Sequence, residues 1–345
     1  MRAAVFESAG TPLVVRDVAA PECGADDLVI EVKRCGICGS DLHMADVHEP
    51  GTGMAPLPRG AIMGHEFSGE IAEVGKHVEG FAVGNRVTAL PYIACGKCQF
   101  CLNGEGHRCA QARYCGLGGE AGAYAEFMRI GPHQALVLPD GVDYATGALV
   151  EPLAVALHGV NAAALTAGDD VLVMGAGPIG LATALWCRYF GARNVIVSDM
   201  VDARLDLANR VGATATVNAA QEDVVGRVKQ IAGRRPNVVI ECIGVPGTQQ
   251  LAMDYAPANG RIVVVGVCMA ADTIMPVKAI TKELTVRYVF MYRHSDFEIT
   301  LDLLNRELID PSAMFTREIG FDEFPAAFES LKTDKTACKV LLVPD

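Results

Sequence analysis

The sequence predicts an α/β protein in which a β-rich first part precedes a doubly wound parallel sheet. Short apolar runs closed by turn residues, such as residues 28–36 and 122–130, recur up to about residue 150, which is typical of an irregular all-β domain. Beyond that point apolar strands alternate with longer helical stretches, as in residues 170–177 followed by 178–191. Such alternation is typical of a parallel sheet covered by helices on both faces.

The individual elements follow in chain order from the same patterns. In the first part, strands are expected at residues 28–36, 69–75, 84–90 and 122–130. A helix is expected over residues 153–165, from its composition and apolar spacing. Later strands are expected at residues 170–177, 194–199, 213–218, 237–244, 260–267 and 284–290, with helices at 178–191, 203–212 and 222–232. Two further helices, at 296–306 and 322–332, and a strand at 337–343 complete the prediction.

Composition and charge limit the class of protein. The chain has 345 residues, enough for two domains, and its 51% hydrophobic and 20% charged residues exclude wholesale disorder. The net charge is −12 and no basic block is present, so we expect neither nucleic acid nor an anionic membrane as a partner. The N-terminus lacks the pattern of a signal peptide, and no apolar run approaches a membrane span. We therefore expect a cytoplasmic protein that acts on a small molecule.

Four cysteines in one short run predict a structural zinc site. Cys95, Cys98, Cys101 and Cys109 are spaced so that one tight loop can fold four thiolates around a single ion. Four thiolates form a closed tetrahedral shell, which suits Zn²⁺ and leaves no position for a substrate. The alternatives are free thiols or two disulfides, and a cytoplasmic setting disfavours disulfides.

A glycine motif predicts a dinucleotide site. Gly175, Gly177 and Gly180 follow an apolar strand and open a helix, and Asp199 ends the next strand. The glycines allow a tight turn, close approach of backbone amides to a pyrophosphate, and close helix packing. Asp199 is expected to accept hydrogen bonds from the adenosine ribose, which favours NAD over NADP. The alternative is a glycine-rich turn that binds no nucleotide.

Separate loops offer the ligands of a second, reactive metal site. A catalytic zinc needs about three protein ligands and an open position. Cys38, His65 and Glu66 supply a thiolate, an imidazole and a carboxylate, and Glu151 is a fourth candidate. From the residues alone this is only suggestive, because a lone cysteine is usually a small buried hydrophobe.

The motifs taken together resemble the zinc-dependent medium-chain alcohol dehydrogenase family over essentially the whole chain. They are CGICGSDLH, GHEFSGE, the four-cysteine run, LVEPLAVALHG and GAGPIG, in the order of the family. The two glutamates of the second and fourth motifs make the sorbitol, butanediol and threonine dehydrogenase branch the most similar.

The resemblance implies a domain organisation. A GroES-like catalytic domain would comprise residues 1–153 and 297–345, with its structural zinc lobe at about 92–112. A Rossmann NAD-binding domain, residues 154–296, would be inserted into it, and the chain would form a homotetramer.

The resemblance also implies the roles of individual residues at the catalytic zinc. Cys38 and His65 would be direct ligands, and Glu66 a ligand that exchanges with water or substrate. Glu151 would bind the metal or hydrogen-bond its water. Asp41 would orient the imidazole of His65.

A proton relay and further cofactor contacts carry over in the same way. Ser40 and His43 correspond to the relay that passes the alcohol proton to solvent. The remaining dinucleotide contacts would be Pro178, Ile179, Arg204, Val265, Gly266, Val267, Val289, Phe290 and Met291. The residues beyond the glycine motif could equally be core or strand residues that do not contact the cofactor.

The substrate prediction follows from a departure from sorbitol dehydrogenases. Where those enzymes place Tyr and Arg against polyol hydroxyls, this chain has Met44 and Met291, while Tyr292 is retained. Methionine offers an adaptable apolar surface, so we expect oxidation of a secondary alcohol such as a vicinal diol, acyloin or cyclic alcohol to a ketone, with NAD reduced to NADH. Both methionines are packing residues in the alternative reading. A threonine or polyol dehydrogenase, or a non-catalytic NAD- and zinc-binding protein, are the competing functions.

Overall fold

The computed structural model describes residues 1–47 and 56–344, and the contacts of the chain divide it into two compact units. The first unit consists of Met1–Glu151, Tyr292–Leu308 and Phe315–Asp345, and the second of Pro152–Met291 and Ile309–Met314. The boundaries expected from the family resemblance lie after residue 153 and before residue 297. The return of the short segment Ile309–Met314 to the second unit was not predicted.

The strands of the described residues have two to six residues, apart from the two longest, both in the first unit, which have nine. They are β1 (Arg2–Val5), β2 (Val14–Asp17), β3 (Leu28–Gly36), β4 (Glu66–Val74), β5 (Arg86–Ala89), β6 (Tyr92–Ile93), β7 (Arg113–Tyr114), β8 (Phe127–Ile130), β9 (Ala135–Val137), β10 (Asp170–Met174), β11 (Asn194–Asp199), β12 (Ala215–Asn218), β13 (Val238–Glu241), β14 (Arg261–Val264), β15 (Thr285–Tyr288), β16 (Phe315–Ile319) and β17 (Lys339–Leu342).

The helices include the crossover helices of the second unit and several short turns. They are α1 (Gly39–Met44), α2 (Gln99–Leu102), α3 (Tyr144–Ala148), α4 (Val150–Ala162), α5 (Pro178–Tyr189), α6 (Asp202–Arg210), α7 (Val224–Ala232), α8 (Thr248–Tyr255), α9 (Pro276–Lys282), α10 (His294–Asn305) and α11 (Phe324–Leu331), with 3₁₀ turns at Gly106–Arg108 and Ser312–Met314. In the part of the chain that the structure describes, no helix has the length and apolar composition needed to cross a membrane.

The first unit is organised around a mixed sheet with the strand order β16-β17-β3-β4-β5-β9, in which β8 also pairs with β3. Strand β3 is antiparallel to both of its neighbours in this order. Gly36 of β3 lies opposite Glu66 of β4 on one side and opposite Leu341 of β17 on the other. The last strand of the chain therefore lies beside the strand that leads into the first cysteine motif.

The second unit contains a six-stranded sheet with the order β12-β11-β10-β13-β14-β15, in which every pair of neighbours is parallel. All residues of β10 and β13 are buried, as expected for central strands covered on both faces. The chain order reverses between β10 and β13, and ligands bind at such a switch point beyond the carboxyl ends of the strands. The predicted α/β fold with a doubly wound parallel sheet is confirmed.

Two kinds of local prediction were wrong. The strand expected over residues 122–130 begins only at Phe127, because Gly122 crosses the backbone of Gly64 so closely that a Cβ atom there would lie 2.4 Å from the Gly64 carbonyl oxygen. The helices α8 and α9 were not predicted. Both are short, with eight and seven residues, and neither carries a side-chain N-cap that would signal its start.

Candidate metal and cofactor sites

Three predicted ligands come together in the first unit. Cys38 lies directly before α1, and His65 and Glu66 lie at the start of β4. One ligand atom from each lies within 4.8 Å of the others. A thiolate, an imidazole and a carboxylate at this spacing fit a tetrahedral zinc that keeps one position open. Glu151 does not belong to this group of three.

A buried carboxylate orients the imidazole of His65. Asp41 is completely buried, and its Oδ1 lies 3.2 Å from His65 Nδ1. Tyr124 Oη donates to Asp41 Oδ2 at 2.5 Å, and the backbone amide of Cys38 donates to the same oxygen at 3.2 Å. Burial would raise the pKa of Asp41, but His65 and these donors hold it below its usual value. With Nδ1 directed at Asp41, Nε2 is the nitrogen that can bind a metal.

The two relay candidates lie on α1. Ser40 Oγ is 3.3 Å from His65 Nε2, on the side of the imidazole that faces the group of ligands. His43 follows one turn later and is exposed to solvent. A hydroxyl beside the ligands and an exposed imidazole on the same helix fit the ends of a proton path.

Glu66 is held by a lysine that the sequence analysis did not single out. Glu66 and Lys339 are 0% and 1% exposed, and Lys339 Nζ donates to Glu66 Oε1. The same ammonium lies 3.4 Å from the carbonyl oxygen of Ile37. Burial would lower the pKa of Lys339, but the charges of Glu66 and Cys38 raise it above its ordinary value. Glu66 Oε2 has no hydrogen-bond partner among the described residues.

Glu151 belongs to the same electrostatic cluster without being close enough to join the three ligands. Burial raises the pKa of Glu151 to about 7, while His65 acts in the opposite direction. Tyr292 is completely buried beside it, and burial together with the charge of Glu151 raises the pKa of the Tyr292 hydroxyl. This geometry suits a carboxyl group that acts near the metal without being a permanent ligand.

The predicted substrate residues are less accessible than expected. Met44 is 2% exposed on the inner side of α1, and Tyr292 packs against Phe297 with ring centroids 4.8 Å apart. Met291, half-buried in the second unit, has a left-handed backbone with φ of 53°. Their contact with a substrate stays a prediction.

The four-cysteine run forms a second cluster in the first unit. It lies between β6 and β7, which pair with each other and close the base of the lobe. The four sulfur atoms lie within 4.8 Å of one another, and those of Cys98 and Cys101 are 3.5 Å apart. Left-handed backbone at Gly96 and Gly104 makes the turns. None of the twelve cysteines, all within the described residues, forms a disulfide, so that alternative is wrong.

The glycine motif of the second unit has the backbone of a tight strand-to-helix turn. Gly175 has φ of 92°, which favours glycine. A Cβ atom at Gly180 would lie 1.8 Å from the Gly175 carbonyl oxygen, so no other residue fits there. Gly177 caps α5 with open space around its Cα, and Pro178 and Ile179 begin the helix. The free amides at this helix end suit a phosphate.

Asp199 is fixed by the backbone around it. Its Oδ2 accepts from the amide of Ala176 at 2.7 Å, and its Oδ1 accepts from Met200 and Val201 at 2.8 and 3.0 Å. The guanidinium of Arg204 is 4.0 Å away. The carboxylate therefore ties the glycine turn to the end of β11, where the ribose of a dinucleotide is expected.

Glu241, a buried acid at the end of β13, accepts hydrogen bonds from the loops on the other side of this sheet edge. Its Oε1 accepts from the amides of Ile243 and Gly244 at 2.7 and 2.9 Å, and its carbonyl oxygen accepts from Val265 and Gly266, both at 2.9 Å. The remaining predicted contacts follow the neighbouring strands. Val267 comes after β14 and is exposed, and after β15 come half-buried Val289 and exposed Phe290.

Sequence reasoning missed Lys339, Tyr124 and Glu241. A lysine inside the apolar strand 337–343 is a signal, because a buried ammonium requires an anionic partner. Glu241 ends a buried strand as Asp199 does, which is a second signal. Nothing in the local sequence distinguishes Tyr124 from an ordinary core tyrosine.

Comparison with known proteins agrees with this architecture. Residues 24–140 match the alcohol dehydrogenase GroES-like domain family, and residues 178–306 match the zinc-binding dehydrogenase family. L-threonine 3-dehydrogenase of Aeromonas hydrophila subsp. hydrophila is 34% identical over 327 residues, which cover 94% of each chain.

Solved structures are similar over the whole chain. A zinc-binding dehydrogenase from Sinorhizobium meliloti 1021 bound to NADP is 36% identical with a TM-score of 0.89, covering 99% of both chains. 2R,3R-butanediol dehydrogenase from Bacillus subtilis is 31% identical with a TM-score of 0.89, covering 100% of this chain and 99% of the other. The chain therefore belongs to the zinc-dependent medium-chain alcohol dehydrogenase family. It is an oxidoreductase that uses zinc and a nicotinamide cofactor.

Replacing Cys98 by Ser tests the metal content of the lobe. We expect bound zinc to fall from two ions per chain to one, because a hydroxyl is a poor zinc ligand, and Tm to fall by roughly 5 °C or more. Elemental analysis and calorimetry measure both. Cys268→Ser, outside both clusters, serves as the control and should keep both ions. Retention of two ions in the Cys98 variant would show that the lobe is not a zinc site.

Proposed function

We propose that the chain oxidises an uncharged secondary alcohol to a ketone and reduces NAD to NADH, at a zinc held by Cys38, His65 and Glu66. The convergence of these three ligand atoms within 4.8 Å is the observation that carries the proposal. Two further observations support it. Asp41 Oδ1 lies 3.2 Å from Nδ1 of His65, which leaves Nε2 for a metal, and Glu66 Oε2 has no hydrogen-bond partner among the described residues.

The residues of the chain then have separate tasks. Bound zinc supplies a Lewis acid that lowers the pKa of the substrate hydroxyl, and bound nicotinamide accepts the hydride. Asp41 keeps the proton of the imidazole on Nδ1 of His65. Ser40, 3.3 Å from His65 Nε2, would relay the alcohol proton by taking it up as it gives up its own, and exposed His43 would deliver the proton to solvent. Glu151, buried and outside the three ligands, would offer a hydrogen-bonding carboxyl group near the metal position.

The four-cysteine lobe holds the second zinc and has no part in the reaction, since four thiolates leave no open position. We assign the protein to the cytoplasm, where cysteines without disulfides, such as its twelve, persist as thiols or metal ligands.

The charges of the site support an uncharged alcohol as the substrate. The described ionisable groups around the proposed metal position in the first unit include the carboxyls of Glu66 and Glu151, and the ammonium of Lys339 is already bound to Glu66. An amino-acid substrate would bring a carboxylate that needs a cation of its own. The similarity to a butanediol dehydrogenase agrees with a vicinal diol, and the threonine dehydrogenase relative makes L-threonine the second candidate.

A substrate panel tests this assignment. We expect kcat/KM for 2,3-butanediol or cyclohexanol to exceed that for sorbitol and L-threonine by roughly tenfold or more, since L-threonine would bury an unpaired carboxylate and sorbitol several unpaired hydroxyls. NADH absorbance measures the rates, and His65→Ala, which should be inactive, is the control for zinc-dependent turnover. A preference for L-threonine would favour the second candidate, and no turnover of any alcohol would favour a binding protein.

The cofactor preference tests the role of Asp199. A carboxylate fixed by three amides would face the 2′-phosphate of NADP, so we expect kcat/KM to be roughly tenfold or more higher with NAD. Asp199→Asn keeps the shape and removes the charge, and should narrow this ratio by about tenfold. Asp206→Ala, an exposed acid on α6, is the control. A preference for NADP in the unaltered protein would contradict the assignment.

We also propose that the chain assembles as a homotetramer. Strand β15 is one of the two edge strands of the second unit's sheet, and Ile280 and Tyr288 near it are 71% and 61% exposed. An apolar open edge is suited to pairing with another copy.

Sedimentation velocity measures the assembly. We expect four chain masses for the unaltered protein and a smaller species when Ile280 and Tyr288 are both replaced by Glu, because the charges would then face the partner copy. Val83→Glu, which changes an exposed valine of the first unit, should leave the mass unchanged. A monomeric unaltered chain would contradict the proposal.

A further inference from the structure

The strand register places one lysine beside two proposed zinc ligands. Leu341 of β17 lies opposite Gly36 of β3, and Gly36 lies opposite Glu66 of β4. Residues two apart on a strand share a face of the sheet, so Lys339 is on the face of Leu341, and the pairing continues toward Cys38 beyond β3. The amide of Ile37 donates to the carbonyl oxygen of Val340 at 3.0 Å, which keeps β17 in line at this point.

Gly36 opens the path between the lysine and the carboxylate. A Cβ atom at position 36 would lie 2.2 Å from Glu66 Oε2 and 3.2 Å from Glu66 Cβ. Because no side chain is present, the carboxylate of Glu66 lies across β3 and its Oε1 reaches Lys339 Nζ on the far strand. Any larger residue at position 36 would push the carboxylate away from this position.

The ion pair is poorly explained as a stabilising contact alone. Both side chains are almost completely buried, and a buried ion pair is often no more stable than an apolar pair of the same volume. It is also incomplete, because Glu66 Oε2 has no partner in the described part of the chain, and a buried carboxylate oxygen without a partner is unfavourable. One carboxylate oxygen of Glu66 belongs to the group formed with Cys38 and His65, and Oε1 is already bound by Lys339.

We propose that Lys339 is a positioning residue of the catalytic metal site, which binds Glu66 Oε1 so that only Oε2 is available to the metal. The proposal rests on the proposed role of Glu66 as a zinc ligand. Holding one oxygen limits Glu66 to a single bond and keeps a position open for the alcohol. The ammonium also offsets part of the negative charge of the Cys38 thiolate and Glu66 carboxylate, so the metal retains more of its positive charge for polarising the alcohol.

Cobalt(II) exchanged into the catalytic site provides a readout independent of turnover. In Lys339→Met, both oxygens of Glu66 become available, so we expect the visible absorption of cobalt to weaken as a fifth ligand bond forms. Metal affinity should rise about tenfold, because a cation beside the metal has been removed. Alcohol oxidation should fall tenfold or more. Lys339→Arg keeps the charge and should restore the spectrum, and Lys335→Met, which removes an exposed lysine of the same C-terminal region, should change nothing.

The outcomes separate a positioning role from a structural one. If Lys339 only stabilises the fold, Lys339→Met lowers Tm and leaves the cobalt spectrum unchanged, and the metal affinity is unchanged or lower. That result would overturn the proposal. Should that variant fail to fold, the Glu66→Gln, Lys339→Met double variant removes both buried charges and is compared with Glu66→Gln alone. Equal cobalt spectra and metal affinities in the double variant and in Glu66→Gln show that Lys339 acts through Glu66. Unequal spectra or affinities show that it does not.

Glu66→Gln alone tests the assumption beneath the proposal. An unchanged cobalt spectrum in this variant would contradict ligation by Glu66 and therefore the proposed metal site. A changed spectrum there, together with an unchanged one in Lys339→Met, would overturn only the role of Lys339.

Discussion

Strand β3 is hydrogen-bonded to β4 on one side and to the terminal strand β17 on the other, and the geometry of the candidate metal site depends on this register. Because side chains alternate along a strand, a shift of one residue in either pairing would turn Glu66 or Lys339 to the opposite face. The register therefore brings together a carboxylate and an ammonium that are 273 residues apart in the chain. It also explains why the sheet of the first unit needs its C-terminal strand: without β17, the buried carboxylate of Glu66 would lose the ammonium of Lys339.

The buried charges of the first unit form a connected system in which each compensates another. Asp41 accepts hydrogen bonds from Tyr124 and a backbone amide, and its other oxygen lies 3.2 Å from the imidazole of His65. Glu66 is bound on one side by Lys339 and open on the other. Burial raises the pKa of Glu151 while the charge of His65 lowers it, so the charge of Glu151 is only partly compensated. A buried charge without a full set of partners is unfavourable. A bound dication would compensate the buried negative charges that are concentrated in this part of the first unit.

The sequence predicted the second unit more completely than the first, for a physical reason. Parallel strands buried on both faces give continuous apolar runs, and β10 and β11 fall inside the predicted segments. The glycine motif could be placed because its backbone geometry excludes other residues, as the 1.8 Å approach at Gly180 shows. In the first unit, β3 was predicted residue for residue, but the short α1 and the paired strands β6 and β7 are fixed by distant contacts and metal-ligand loops. Local propensity carries little information about such elements.

The candidate site shows the same division between local and distant information. Ligand motifs such as Cys38 and the His65–Glu66 pair are readable because each is compact in sequence. Lys339 and Tyr124 act on those ligands from distant parts of the chain, and only the fold brings them within hydrogen-bonding distance. Residues that orient ligands thus determine much of the geometry of a metal site, since they determine which atom of each ligand is free to bind the metal. For this chain, the motifs indicate which residues can bind zinc, and in our proposal the strand register leaves Glu66 only one of its two oxygens for the metal.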